Sequence, residues 1–129
     1  MRFLNLLSCI PLLSVVAPSS AAAQGNPSTT VVVRIAQLEI DPARLEQYTK
    51  IVKEEMEISA RDEPGVLAIY SVAEREKPHV LHFFEIYASE NAYLSHIASP
   101  HFKKYVEETK SMIRSRRLIE TTPVQLSTK

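Results

Sequence analysis

The chain has 129 residues with 15 basic and 15 acidic side chains, a formal net charge of zero, one cysteine and two glycines. Near-neutrality removes any long-range pull toward nucleic acid or an anionic membrane surface. The glycines are too few for a G-x-G-x-x-G fingerprint, no P-loop is present, and a lone cysteine cannot build a disulfide framework.

Residues 1–23, "MRFLNLLSCIPLLSVVAPSSAAA", combine Arg2, an apolar run from Phe3 to Ala17 and the small residues Ala21, Ala22 and Ala23. This is the pattern of a secretory signal peptide, too short and too interrupted by Pro11 and Pro18 to span a bilayer as a helix. The protein is therefore expected to be periplasmic or secreted, with its mature start near Gln24. Lipid attachment at Cys9, within "LLSC", is disfavoured by the short apolar run before it. Subtracting 23 from 129 leaves 106 residues, enough for one domain and one modest core. With Cys9 discarded, no thiol chemistry is left to the mature chain.

Residues 24–30, "QGNPSTT", read as a polar linker, and the domain is expected over 31–126. "VVVRIAQLEI" from Val31 is rich in β-branched residues and predicts a first strand. Asp41 and Pro42 then form a helix start, the first able to cap free N–H groups and the second suited to the first helical position. Leu45, Tyr48, Val52 and Met56 follow at helical spacing, predicting an amphipathic helix over 42–62 that Pro64 and Gly65 end.

"GVLAIYSVAE" and "HVLHFFEIYA" predict the second and third strands, joined as a hairpin through the turn 75–78. Ser89 is a cap for a short helix through Ile97, and Ser99-Pro100 repeats the signal for a longer one bearing Phe102, Val106, Thr109 and Ile113 on one face. "RSRR" at 114–117 is expected in the last turn of that helix, where its charge complements the dipole. "LIETTPVQL" predicts a last strand, confined by Pro123 to a sheet edge.

The order is β-α-β-β-α-α-β, an α+β, ferredoxin-like arrangement with its second helix divided. Helices cover one sheet face only. In the third strand Leu81, Phe83, Glu85 and Tyr87 alternate with His82, Phe84 and Ile86. Both sets are largely apolar, so the open face is expected to pair with a second copy, giving a homodimer.

"EPGVLAIYSV", "HFFEIYASENAYLSHIASPHF" and the Asp41-Pro42 helix start resemble the antibiotic biosynthesis monooxygenase domain, a member of the dimeric α/β barrel superfamily, over roughly Val31 to Leu126. The branch nearest in motif includes quinol monooxygenases and an isomerase of a phosphorylated signal, where the "HxxxPH" pairing recurs. The resemblance implies oxidation of a small quinol or phenol by molecular oxygen without flavin, haem or metal: a deprotonated phenol donates an electron to oxygen, and the protein supplies a base and a dry pocket. Isomerisation of a small hydroxy-ketone, and a non-catalytic barrel that binds a small ligand, are the alternatives. A haem-degrading branch is not matched: Ala36, Tyr87 and Val106 stand where that branch carries asparagine, tryptophan and histidine.

Within this frame His96 is the favoured base, because an imidazole exchanges protons near neutral pH. His101 falls in a first helical turn, where the dipole favours a neutral ring able to bond substrate or cap the helix. Glu85 lies on an otherwise apolar strand face and is expected to orient a histidine, to bind a substrate hydroxyl, or to pair with Arg34. Tyr87 and Phe83 share its face as a hydroxyl and a wall, and Tyr70 is a further substrate-binding candidate whose facing the sequence leaves open. His82 is assigned to the partner-facing side and His79 to solvent. No metal is expected, since uniting His96 and His101 would need the Ser99-Pro100 break to converge them and a third ligand.

Overall fold

The computed structural model describes residues 30–129. The expected signal peptide with Cys9, and linker residues 24–29, lie outside the described residues. The observed elements are β1 (Val32–Ile40), α1 (Leu45–Asp62), β2 (Val66–Ala73), β3 (Val80–Tyr87), α2 (Glu90–Ala98), α3 (Pro100–Thr109) and β4 (Ile113–Glu120).

Local chemistry sets most of these boundaries. Asp41 accepts a hydrogen bond from the Ala43 amide at 3.0 Å, and Pro42–Arg44 forms a 3-10 turn that leads into α1. The predicted single helix over 42–62 is thus a tight turn followed by a regular helix. Pro64 disfavours a helical conformation for Glu63, which is extended at ψ 104°. Ser99 serves two helices at once. Its extended backbone, imposed by Pro100, ends α2, and its hydroxyl accepts from the Phe102 amide to cap α3.

The four strands form one antiparallel sheet in the order β2-β3-β1-β4. β3 lies between β1 and β2, the split arrangement of a ferredoxin-like fold. Register puts Val32, Arg34, Ala36 and Leu38 of β1 opposite Tyr87, Glu85, Phe83 and Leu81 of β3. Directly opposed residues share a face, and this face meets the helices. Its core unites Leu38, Ile40, Leu81 and Phe83 with Tyr48 and Val52 of α1, Tyr105 of α3, and Met112. The buried Tyr48 and Tyr105 hydroxyls bond each other at 2.7 Å.

Two expectations are corrected here. The "RSRR" stretch belongs to β4 and not to a helix: α3 ends at Thr109, and Arg114 to Arg117 run antiparallel to β1. The apolar spacing that ran on to Ile113 is shared by a helix face and by a turn into a strand, and Ile113 packs on the core from β4. The last strand accordingly starts five residues before Leu118 and ends before Pro123. The arginines suit this place because β4 is a sheet edge, where charge discourages pairing with foreign strands. The inward stripe of α3 also includes Tyr105, which is buried, beside Thr109.

The other sheet face carries Phe84 and Ile86 of β3, Ile35 of β1, and Tyr70 and Val72 of β2, of which Phe84, Tyr70 and Val72 are exposed among the described residues. Phe84 is 37% exposed. Among the described residues no helix is long and apolar enough to cross a membrane.

Candidate active site

α1 is amphipathic, and its buried stripe reads Tyr48, Val52, Glu55, Ser59. A carboxylate on such a stripe needs a donor, and the Ser59 hydroxyl supplies one to Glu55 Oε1 at 2.6 Å. From the opposite side α2 projects His96, which is 2% exposed. The Phe102 ring lies 4.7 Å from it and the Tyr87 ring 5.3 Å, centroid to centroid.

The polarity of the imidazole follows from its neighbours. Nδ1 lies 3.1 Å from Glu63 Oε1. A carboxylate accepts, so Nδ1 carries the proton and the neutral ring keeps its lone pair on Nε2. Nε2 in turn lies 3.8 Å from Glu55 Oε1, too far for a hydrogen bond. His101 Nε2 bonds the same Glu63 oxygen and contacts the Ser99 hydroxyl at 3.1 Å. Glu63 therefore clamps both histidines across the helix break.

Beside this cluster, between sheet and helices, is a cavity of about 160 Å³. His96, Glu55 and Glu85 enter it among apolar walls that include Met56, Phe83, Ile97 and Phe102. The exposed Leu118 and Glu120 of edge strand β4 also line it. Burial raises the pKa of the Glu85 carboxyl above the usual carboxylate range, against the Tyr87 hydroxyl that donates to it at 2.7 Å and the nearby His96. Burial likewise pushes the phenols of Tyr48, Tyr87 and Tyr105 up. They stay protonated near neutral pH, and His96 presents an imidazole to the same cavity.

The sequence-derived candidates divide accordingly. His96, Glu85 and Phe83 line the cavity together. His101 does not line it and reaches His96 through Glu63. Tyr87 is fully buried behind Glu85 and does not line it either. Tyr70 is corrected: register sets it opposite Phe84, on the open face, where it is 62% exposed. The pairing of Glu85 with Arg34 is also corrected. Arg34 instead holds both oxygens of Glu90, at 3.1 and 3.0 Å, with its guanidinium 4.7 Å from the Tyr93 ring. His82 bonds Glu74 at 2.9 Å, away from the cavity.

Glu55 and Glu63 are the site residues that the sequence reading missed. Glu55 was signalled by a carboxylate falling at the spacing of Tyr48, Val52 and Ser59, and Glu63 by its place before the helix-ending Pro64. The Ser99-Pro100 break does bring the histidines together, their ring centroids 6.4 Å apart. Glu55, His96 and His101 each offer one ligand atom, all within 4.8 Å of one another. Two imidazoles and a carboxylate are a donor set suited to a divalent transition ion.

Comparison with known proteins agrees with this architecture. A family model described as antibiotic biosynthesis monooxygenase matches residues 31–108. No curated protein matches the chain. A solved structure from Bacteroides thetaiotaomicron VPI-5482, assigned to the same family, is 51% identical, covers 78% of this chain and 97% of its own, and has a TM-score of 0.75. A provisionally named monooxygenase from Lactobacillus acidophilus NCFM is 36% identical over 70% of this chain, with a TM-score of 0.68. The match covers only 43% of that longer protein. A Nitrosomonas europaea structure, at 15% identity and a TM-score of 0.70, covers 74% of this chain and 92% of its own and shares the fold.

Proposed function

The chain belongs to the antibiotic biosynthesis monooxygenase family, and from that membership we propose that it is a monooxygenase that oxidises a single-ring quinol or phenol with molecular oxygen, using His96 as the base and no flavin, haem or metal. One observation carries the reading: His96 is held by Glu63 through Nδ1 and presents Nε2 beside Glu55, in a largely apolar cavity of about 160 Å³. A cavity of roughly 150 Å³ holds a benzene ring, so the space beside His96 matches one ring.

The chemistry follows in order. A substrate hydroxyl gives its proton to Nε2, and the imidazolium is stabilised by Glu63 and Glu55 on its two sides. The quinolate passes one electron to oxygen, and the resulting pair recombines at a ring carbon as a peroxide. Loss of water leaves a carbonyl. For a quinol the balance closes without an outside reductant: quinol plus oxygen gives hydroxyquinone plus water. Apolar walls keep bulk water from the radical pair.

A second copy of the chain covers the open sheet face, where Phe84, Tyr70 and Val72 are otherwise solvated, and the leader directs export. Oxygen uptake with a hydroquinone panel tests the activity. We expect uptake that falls at least about 100-fold in His96→Ala, the scale of a lost general base, and survives chelator. Absent uptake, or uptake unchanged in His96→Ala, would refute the reading. Turnover of a hydroxy-ketone under anaerobic conditions would replace it with isomerisation. Activity lost to chelator and restored by a divalent ion would instead assign Glu55, His96 and His101 to a metal.

A further inference from the structure

We propose that Arg116 anchors an acidic substituent of the substrate, so that the preferred substrate is a single-ring quinol or phenol bearing a carboxylate. The phenolic half of this statement rests on the function proposed above. The acidic half stands on the charge arrangement of the cavity itself.

Two guanidinium groups line the cavity, and they are not equivalent. Arg34 is neutralised by both oxygens of Glu90 and lies against Tyr93. Arg116 has no hydrogen-bond or ion-pair partner among the described residues, whereas Arg114, two positions earlier, bonds Asp41 at 3.0 Å. Register sets Arg116 opposite Leu38, on the face of the sheet that the helices cover. It lines the cavity together with Leu38 and Tyr105. Three carboxylates line the cavity as well: Glu85, half-buried and bonded to Tyr87, Glu55, buried and bonded to Ser59, and Glu120, exposed on β4; His96 lies between the rings of Tyr87 and Phe102.

Size and charge then act together. A space of about 160 Å³ is filled by one ring, so a charged substituent must remain toward solvent. Arg116 is exposed on edge strand β4 and meets that need. A guanidinium binds a carboxylate through two parallel N–H donors, which fixes orientation as well as position. A ring held in this way directs its other end, with the hydroxyl, toward His96.

The probes are gentisate, a hydroquinone with one carboxylate, and its methyl ester, titrated into the full chain by calorimetry without oxygen. Gentisate is expected to bind about tenfold or more tightly than the ester, the scale of a charged hydrogen bond. Arg116→Gln should abolish that preference. Arg117→Gln, on the opposite face of the same strand, should keep it. Equal binding of acid and ester, or a preference that survives Arg116→Gln, overturns the proposal. The two readings fail separately: acid-selective binding without oxygen uptake sinks the monooxygenase, and uptake without acid preference sinks the anchor.

Discussion

Gly65 offers a test that links packing to the proposed base. No glycine among the described residues has a positive φ, so backbone conformation does not require glycine there. Space does. A Cβ on Gly65 would lie 2.5 Å from the Ala92 Cβ on α2 and 3.4 Å from its Cα. Ordinary contact begins at 3.4 Å, so Gly65→Ala must drive the turn and α2 apart by about 0.9 Å. Overpacking of this kind costs roughly 1–3 kcal/mol, offset by about 0.4–1 kcal/mol from a stiffer unfolded chain.

The expected net loss is about 1–2 kcal/mol, or roughly 5–10 °C in Tm for a domain of this size. With no tryptophan in the chain, far-UV circular dichroism in a urea titration is the suitable readout. The same displacement reaches chemistry. His96 is one turn beyond Ala92, and Glu63 is two residues before Gly65, so their 3.1 Å bond would open past hydrogen-bonding range. Misplacement on this scale can cost about 100-fold in rate. Ala92→Gly in the Gly65→Ala background removes the clash at a helix cost of about 1 kcal/mol, so activity should return more fully than stability. A Gly65→Ala protein as stable as the parent, or a double variant with no recovery of activity, would refute the argument.

Other outcomes follow from the same geometry. Tyr48→Phe deprives the buried Tyr105 hydroxyl of its 2.7 Å partner and should cost about 1–3 kcal/mol. The Tyr48→Phe/Tyr105→Phe pair should cost less than the sum of the single changes in urea titrations, and strict additivity would deny the coupling. Glu85 has its folded pKa raised by burial above the 4.5 of a free glutamate. Its contribution to stability is therefore fully present below pH 4.5 and lost as pH rises through the raised value. Glu85→Gln should then stabilise the fold at neutral pH, with the gain vanishing in acid; a gain independent of pH would contradict the assignment. Phe84→Asp places a charge on the open sheet face and should halve the mass seen by light scattering, whereas an unchanged mass would exclude that face as the subunit interface.

Much of this was legible in the chain because local rules and tertiary structure agree. Asp41-Pro42, Ser89 and Ser99-Pro100 start helical elements by capping chemistry that no packing overrides, and the alternation of β3 separates His82 from Glu85 correctly. β4 was misread where that agreement fails. An edge strand with four of its residues reading Arg-Ser-Arg-Arg has no apolar alternation to detect, and Ile113 fits a helix face as well as a strand. Tyr70 was ambiguous because β2 is irregular against β3 between Val66 and Ala68. That shift changes which residues face the helices, and it is visible only in the paired sheet.

The site itself was half legible for a different reason. Histidines announce themselves by residue type, but the carboxylates that give them direction sit among many ordinary surface glutamates. Glu63-Pro64-Gly65 shows how much three adjacent residues can do. Pro64 ends α1 and so leaves Glu63 at a helix terminus, free to point across the break. Gly65 lets α2 approach closely enough for His96 to meet that carboxylate. Ser99 and Pro100 then turn the chain so that His101 meets it from the other side. The proposed base, His96, is thus positioned by three helix ends and not by a loop. A carboxylate shared by two imidazoles fixes the His96 tautomer, which leaves Nε2 as the atom that would take the proton in the proposed reaction.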